Sequence, residues 1–449
     1  MPTPARQHSP RPPSCNERDD GAAAGRIHGG ADGPSRDNGA VAIDESARLL
    51  VLGAGPAQLG VLSAARRRGL TVVAADRDPS APGFRYADRR AIVSIEDEPA
   101  IDRLARAEHV DGVVAPGTDH AVGTAARIAS RLGLPHPLAP ETAALAVSRQ
   151  RQRERLAAAG IAQPRSLVCR TLDEVTAAAA ELGYPVVVEA PDRSGERAVA
   201  LAPDRKTLVD VASVAIAETR GDYCLVEELV GGRLVTVNAF SLGGRFVPLT
   251  VTDREQAPPP AFGVPLSNLW PAELEPADVG AAIETAAAAA LALGIEQGPT
   301  TTQLLLGDDG PLLAKLSARV GGGHDAELCR VALGVDLNAL AVTVALGGDV
   351  HPQALAVTGG VQAACVRFLV APAGELRDVQ GLEEAYELEG VRGIRIYRKA
   401  GHVFHELRRA SDRAGAVLAT GVSPAEALSR ADRAAARIRF VTGHIEAVA

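Results

Sequence analysis

The spacing of apolar and polar positions divides this chain into stretches of different rhythm. From Ala47 a short apolar run, LLVL, breaks at the glycine-rich turn GAGPAQLG, and a helical pattern and a second apolar run, TVVAAD, follow. The stretch IDRLARAEHVDGVVAP repeats the helix–strand pattern, and a further helix is predicted from Asp119 to Leu132. Strands and helices that alternate in this way build a parallel sheet with right-handed crossovers. A helix is then predicted over 141 to 159, stopped by Gly160 and by a proline at 164. Beyond it the pattern becomes α+β. YPVVVEAPDRSGERAVAL reads as strand, loop, strand, and a helix and strand lead to CLVEELVGG.

An alanine-rich amphipathic helix is predicted from about 276 to 293, and a strand pair joined by a Gly/Asp turn follows within GPTTTQLLLGDDGPLLAKLSARVGGGH, residues 298–324. From about 359 the strands VQAACVRFLVAP and GIRIYR appear, and the segment SPAEALSRADRAAARIRFV reads as a closing helix. Residues 1–46 carry almost no branched apolar side chains, too few to offset the entropy of ordering, and are expected to be disordered. The expected organisation is therefore a tail (1–46), a Rossmann-like parallel-sheet domain (47–145), a central core (146–345) and a small C-terminal α/β domain (346–449), α/β and α+β in class.

Composition narrows the chemistry. Aromatic residues are only 3% of the 449, so the cores must be built from Ala, Val and Leu. A net charge of -8 speaks against a general nucleic-acid surface. The basic run RQRQRER around residue 150 is read as the exposed face of a helix. No apolar run is long enough for a membrane span, and the N-terminus has no apolar core of a signal peptide. Five scattered cysteines without a CxxC suit reduced thiols in a cytoplasm rather than a disulfide frame or zinc site.

The turn GAGPAQLG, with Asp76 closing the next strand, approaches a dinucleotide fingerprint, but its spacing is imperfect. A tight turn of the first domain is the better reading, and NAD binding the weaker one. Asp119-His120 is read as a helix start rather than a catalytic pair. In GHVFHEL the odd spacing puts His402 and His405 on opposite faces of a strand, so they do not share a metal.

The segments PVVVE, CLVEEL, the strand pair of residues 298–324 and its trailing ARVGGGHDAEL together resemble the ATP-grasp superfamily over roughly residues 47 to 445. The closest branch is the L-amino-acid ligases, carboxylate–amine ligases that work through an acyl-phosphate. The resemblance implies ATP and Mg2+ as cofactors, a small carboxylate or amino-acid ligand, and often a homodimer. It places nucleotide contacts at Arg149, Glu189, the loop containing Ser194 and Gly195, and the strand ending Glu227, Glu228 and Leu229. Arg319 and His324 fall where the family faces its carboxylate or acyl-phosphate. Arg319 is suited to clamp a carboxylate, and His324 either donates to substrate or orders its loop.

The departures fall on the chemistry. Gln303 and Lys315 stand at the positions of metal-binding acids, Ser317 at that of an Asn, and Glu189 at that of a phosphate-binding Lys. Together these changes leave the site much less positive than a site holding Mg2+, against a triphosphate that needs cations around it. Two functions stay open. One is a member that binds a small carboxylate or a partner enzyme with Mg-ATP catalysis impaired or lost. The other is a working ligase with a compensated nucleotide site. The reversal of sign at 189 and 315 further predicts a Glu189–Lys315 ion pair across the cleft, against the alternative of two independent solvated charges.

Overall fold

The computed structural model describes residues 46–191, 199–219 and 221–443; the expected tail lies almost wholly outside them. The first sheet is parallel, in the order Arg89–Ile92, Thr71–Asp76, Arg48–Leu52, Gly112–Val114. Its central strands are buried on both faces, which explains their unbroken apolar runs. The helix Asp119–Leu132 forms as expected and packs its alanine-rich face inward.

A four-stranded antiparallel sheet follows, in the order Ser166–Cys169, Cys224–Glu228, Val186–Glu189, Val199–Ala202. The helices Leu172–Leu182 and Arg205–Glu218 pack on it over a small Ala/Val/Cys core. The largest sheet has eight strands. Gly310–Ser317, Gly298–Gly307, Arg233–Leu242, Arg245–Gln256 and Pro265–Trp270 come first, then Ala363–Leu369, Gly415–Gly421 and Val391–Ile396. Strands from both sides of residue 346 thus share one hydrogen-bonded sheet. Arg439–Gly443 is a strand paired with Gly374–Gln380, so the closing segment is the helix Pro424–Arg437 plus a strand. Around His402 and His405 only Val403–Phe404 is strand.

Two expectations need correction. The helix expected over 141 to 159 is two helices, Pro140–Val147 and Arg149–Ala158, because Ser148 leaves helical geometry and caps the second through Arg151 N. The basic run is an exposed face only in part, at Arg151, Glu154 and Arg155. Arg149, Gln152, Arg153 and Leu156 are buried at i, i+3, i+4 and i+7, the stripe by which a helix meets its core.

Gly60 shows why GAGPAQLG is a packing turn. A Cβ there would come within 2.5 Å of Asn338 Nδ2 and Glu327 Oε1, so the glycine lets the first helix approach the core closely. The Asp76 carboxylate is engaged by backbone amides, Ala54 N at 2.8 Å and Asp78 N at 2.9 Å. Among the described residues, no single helix is long and apolar enough to cross a membrane.

Candidate functional site

A cleft of about 530 Å³ opens where the first sheet, the four-stranded sheet and the large sheet meet. Its walls include the turn around Gly53–Gln58, the loop at Gly117–Thr118 and the glycine run Gly321–Gly323. These loops touch: a Cβ on Gly322 would lie 3.1 Å from Ala57 Cβ. Of the residues the sequence singled out, Arg149, Glu189, Glu227, Glu228, Leu229, Gln303, Lys315, Ser317 and Arg319 all line this cleft. Ser194 and Gly195 lie outside the described residues.

The metal-position residues are set by the antiparallel hairpin. Its register puts Gln303 opposite Lys315 and Thr301 opposite Ser317, with an irregularity just after Gln303. Lys315 Nζ lies 2.6 Å from Asp119 Oδ2, and Arg319 Nε lies 2.7 Å from Asp119 Oδ1. Ser317 also hydrogen-bonds the Asp119 carboxylate. Burial would raise the Asp119 pKa, but Arg319, Lys315 and the Ser317 hydrogen bond hold it well below the usual carboxylate range. Arg319 is itself braced: its Nη1 donates to Val320 O at 3.0 Å, and its carbonyl accepts from Thr301 Oγ1 at 3.3 Å.

Asp119 does begin a helix, as expected, but it is also the carboxylate on which three site residues converge. Sequence reasoning missed that role. The available signal was its position at the start of the helix that follows a strand of a parallel sheet, the end at which such sheets place ligand-binding residues.

A second cluster sits deeper in the cleft. Arg149 Nη1 donates to Ala314 O at 2.9 Å, while Nη2 reaches Glu189 Oε2 at 3.1 Å and Glu227 Oε1 at 3.8 Å. Arg153 pairs closely with Glu227 and donates to Pro164 O at 3.2 Å. Burial pushes Glu189 up, yet Arg149 and Lys315 bring it below the usual range. For Glu227 burial prevails over Arg153 and Arg149, and its pKa is raised. The expected Glu189–Lys315 ion pair is therefore not the one formed. Glu189 takes Arg149, and Lys315 takes Asp119, because each finds a nearer partner from another segment.

Glu228 points its carboxylate at backbone, accepting from Arg165 N at 2.7 Å, and Leu229 is exposed at the cleft wall. His324 is buried and does not line the cleft. Its Nε2 is 2.5 Å from Tyr397 Oη and its Nδ1 is 3.6 Å from Glu327, whose other oxygen meets Arg395 at 3.2 Å. It bridges the core to the strand Val391–Ile396 region.

The donor set does not suit Mg2+. An amide (Gln303), an ammonium (Lys315) and a hydroxyl (Ser317) replace the carboxylate oxygens this hard cation prefers. No His/Cys/Asp/Glu group that could hold a metal ion occurs among the described residues. The triphosphate end fits no better. The two clusters hold four cations (Lys315, Arg319, Arg149, Arg153) against three carboxylates (Asp119, Glu189, Glu227), one positive charge in excess.

Residues 148–237 match the family model "Carbamoyl-phosphate synthase L chain, ATP binding domain", and residues 367–443 match "L-amino acid ligase C-terminal domain 2". Through these two segments the chain is similar to ATP-grasp carboxylate–amine ligases. The resemblance to the L-amino-acid ligase branch is borne out by the C-terminal match, and a solved structure shares the fold. That structure, an L-amino acid ligase from Bacillus licheniformis, superposes with a TM-score of 0.75 at 21% identity, covering 90% of this chain and all (100%) of its own. The protein y4rH of Sinorhizobium fredii is 26% identical over 378 residues, 82% of this chain and 77% of its own. A formate-dependent phosphoribosylglycinamide formyltransferase of Burkholderia pseudomallei is 27% identical over 421 residues, 88% of this chain and 96% of its own.

Proposed function

We propose that this chain is a ligand-binding member of its family that has given up Mg-ATP-dependent phosphoryl transfer and holds a small carboxylate in the cleft. The observation that carries this reading is the engagement of Lys315 and Arg319 with Asp119, at the positions where the family resemblance puts metal and substrate. Phosphoryl transfer relies on metal and cations clamping the transferring group. Here Arg149 is committed to Glu189, and Glu189 itself presents a carboxylate where phosphate would need a cation. The cleft remains open and large enough for a small molecule, which supports binding without turnover.

Calorimetric titration with ATP, with and without Mg2+, tests the reading. The expected result is no Mg2+-dependent binding and no ADP release with any pair of amino acids. Metal-dependent binding tighter than about 100 μM would instead support the second reading, an active carboxylate–amine ligase with a compensated site. A second copy of the chain, or a partner enzyme, is the further associate this reading allows.

A further inference from the structure

The carboxylate of Asp119 meets the cleft-lining residues Lys315 and Arg319 from the helix Asp119–Leu132 of the first domain, and it is outnumbered by them. Lys315, Ser317 and Arg319 all line the cleft, on a hairpin end fixed by Thr301 and by the Asn238–Thr301 hydrogen bond of 3.1 Å. Asp119 reaches them from the first turn of its helix, across about two hundred residues of sequence. Two cations therefore face one carboxylate. The fit is also incomplete. Arg319 Nε and Asp119 Oδ1 are 2.7 Å apart, yet both atoms are buried and neither makes a well-aligned hydrogen bond. A guanidinium edge built for two parallel bonds to a carboxylate is here used obliquely.

We propose that Lys315, Ser317 and Arg319 form a carboxylate-binding clamp, that Asp119 is its resident occupant, and that a small carboxylate enters the clamp only when Asp119 leaves it. The former metal site is, on this view, a site for an anion, closed by the chain's own side chain. An intramolecular occupant competes at high effective concentration, so external carboxylates at modest concentration do not displace it. The proposal rests on the reading of the cleft as a carboxylate site, and not on the loss of Mg-ATP chemistry.

Acetate is the probe, with chloride at equal ionic strength as the reference and inorganic phosphate as the comparison. The readout is the melting temperature of the full chain as wild type, Asp119→Asn, and Asp119→Asn with Lys315→Gln. Acetate should raise the melting temperature of Asp119→Asn by at least about 3 °C over chloride. It should shift wild type by less than about 1 °C, and the double variant should lose the gain. Equal shifts in all three proteins, or none in Asp119→Asn, overturn the clamp. Phosphate acting as strongly as acetate overturns its selectivity for carboxylate. If Asp119→Asn does not fold in chloride, refolding from denaturant in acetate replaces the melt: recovery in acetate alone supports the clamp, and recovery in neither salt overturns it. Mg2+-dependent ATP binding in the calorimeter would remove the reading of lost catalysis while leaving this result intact, so the two failures are distinguishable.

Discussion

At the scale of single residues, the charges in this cleft choose partners by proximity in space, and the sequence shows only their order in the chain. Asp119 illustrates the energetics. Its carboxyl is held below the usual range, so its charged form stabilises the fold above the unfolded-state value of about 3.9, and that contribution is lost as pH falls through the folded value. Asp119→Asn should cost roughly 1–3 kcal/mol at pH 7, since it leaves the partly buried Lys315 and Arg319 without their anion. In denaturant unfolding, the gap between wild type and variant should narrow as the pH is lowered from 7 toward 3. A gap that stays constant would show that the charge of Asp119 is irrelevant to folding. The pairing itself is open to a double-mutant cycle. Coupling between residues 119 and 315 should exceed about 1 kcal/mol, while coupling between 189 and 315 should fall below it. The opposite order would restore the Glu189–Lys315 pair that the sign reversal in the sequence suggested and that the structure replaces with Arg149–Glu189.

At the scale of elements, the helix Arg149–Ala158 shows how polar residues can form a buried face. Gln152 Nε2 donates to Ala146 O at 2.8 Å and Leu316 O at 3.0 Å, and its Oε1 accepts from Leu316 N at 3.3 Å. One side chain thus ties this helix to the preceding helix and to the hairpin that carries Lys315. Gln152→Ala should cost about 1–3 kcal/mol, the usual consequence of leaving buried backbone groups unpaired, and thermal melts should show it. A neutral outcome would mean that water or a local shift replaces the amide. The same helix marks how far the sequence could be read. The strand pair of the metal end, the strands PVVVE and CLVEEL, and the helix from Asp119 were legible, because periodicity and turn residues are local properties. The face of RQRQRER was not, because charged residues are normally solvated and only the carboxylates of distant strands make their burial favourable. For the same reason nine lining residues of the cleft could be named from motifs, while Asp119, which joins them through a contact between remote segments, could not.

At the scale of the whole molecule, the eight-stranded sheet decides what can fold alone. The strand Pro265–Trp270 pairs on one side with Arg245–Gln256 and on the other with Ala363–Leu369, which in turn pairs with Gly415–Gly421. Small apolar clusters bridge the same seam: Ala364, Val366 and Phe368 pack with Leu59 and Leu328, and Ala363 and Cys365 pack with Leu269. Buried polar contacts add to it, with His324 meeting Tyr397 and Glu327 meeting Arg395, and the resulting burial raises the Tyr397 hydroxyl to about 12. Ending the chain at residue 345 would remove every strand beyond Pro265–Trp270. It would leave a long sheet edge open to pairing with other chains and Glu327 buried without Arg395. A chain of residues 1–345 should therefore aggregate or lack a cooperative melt by circular dichroism, and the full chain should unfold through this seam as one unit. A truncated chain that stays monomeric and melts within a few degrees of the full protein would show that the sheet closes without its C-terminal strands, and that the cleft owes nothing to them.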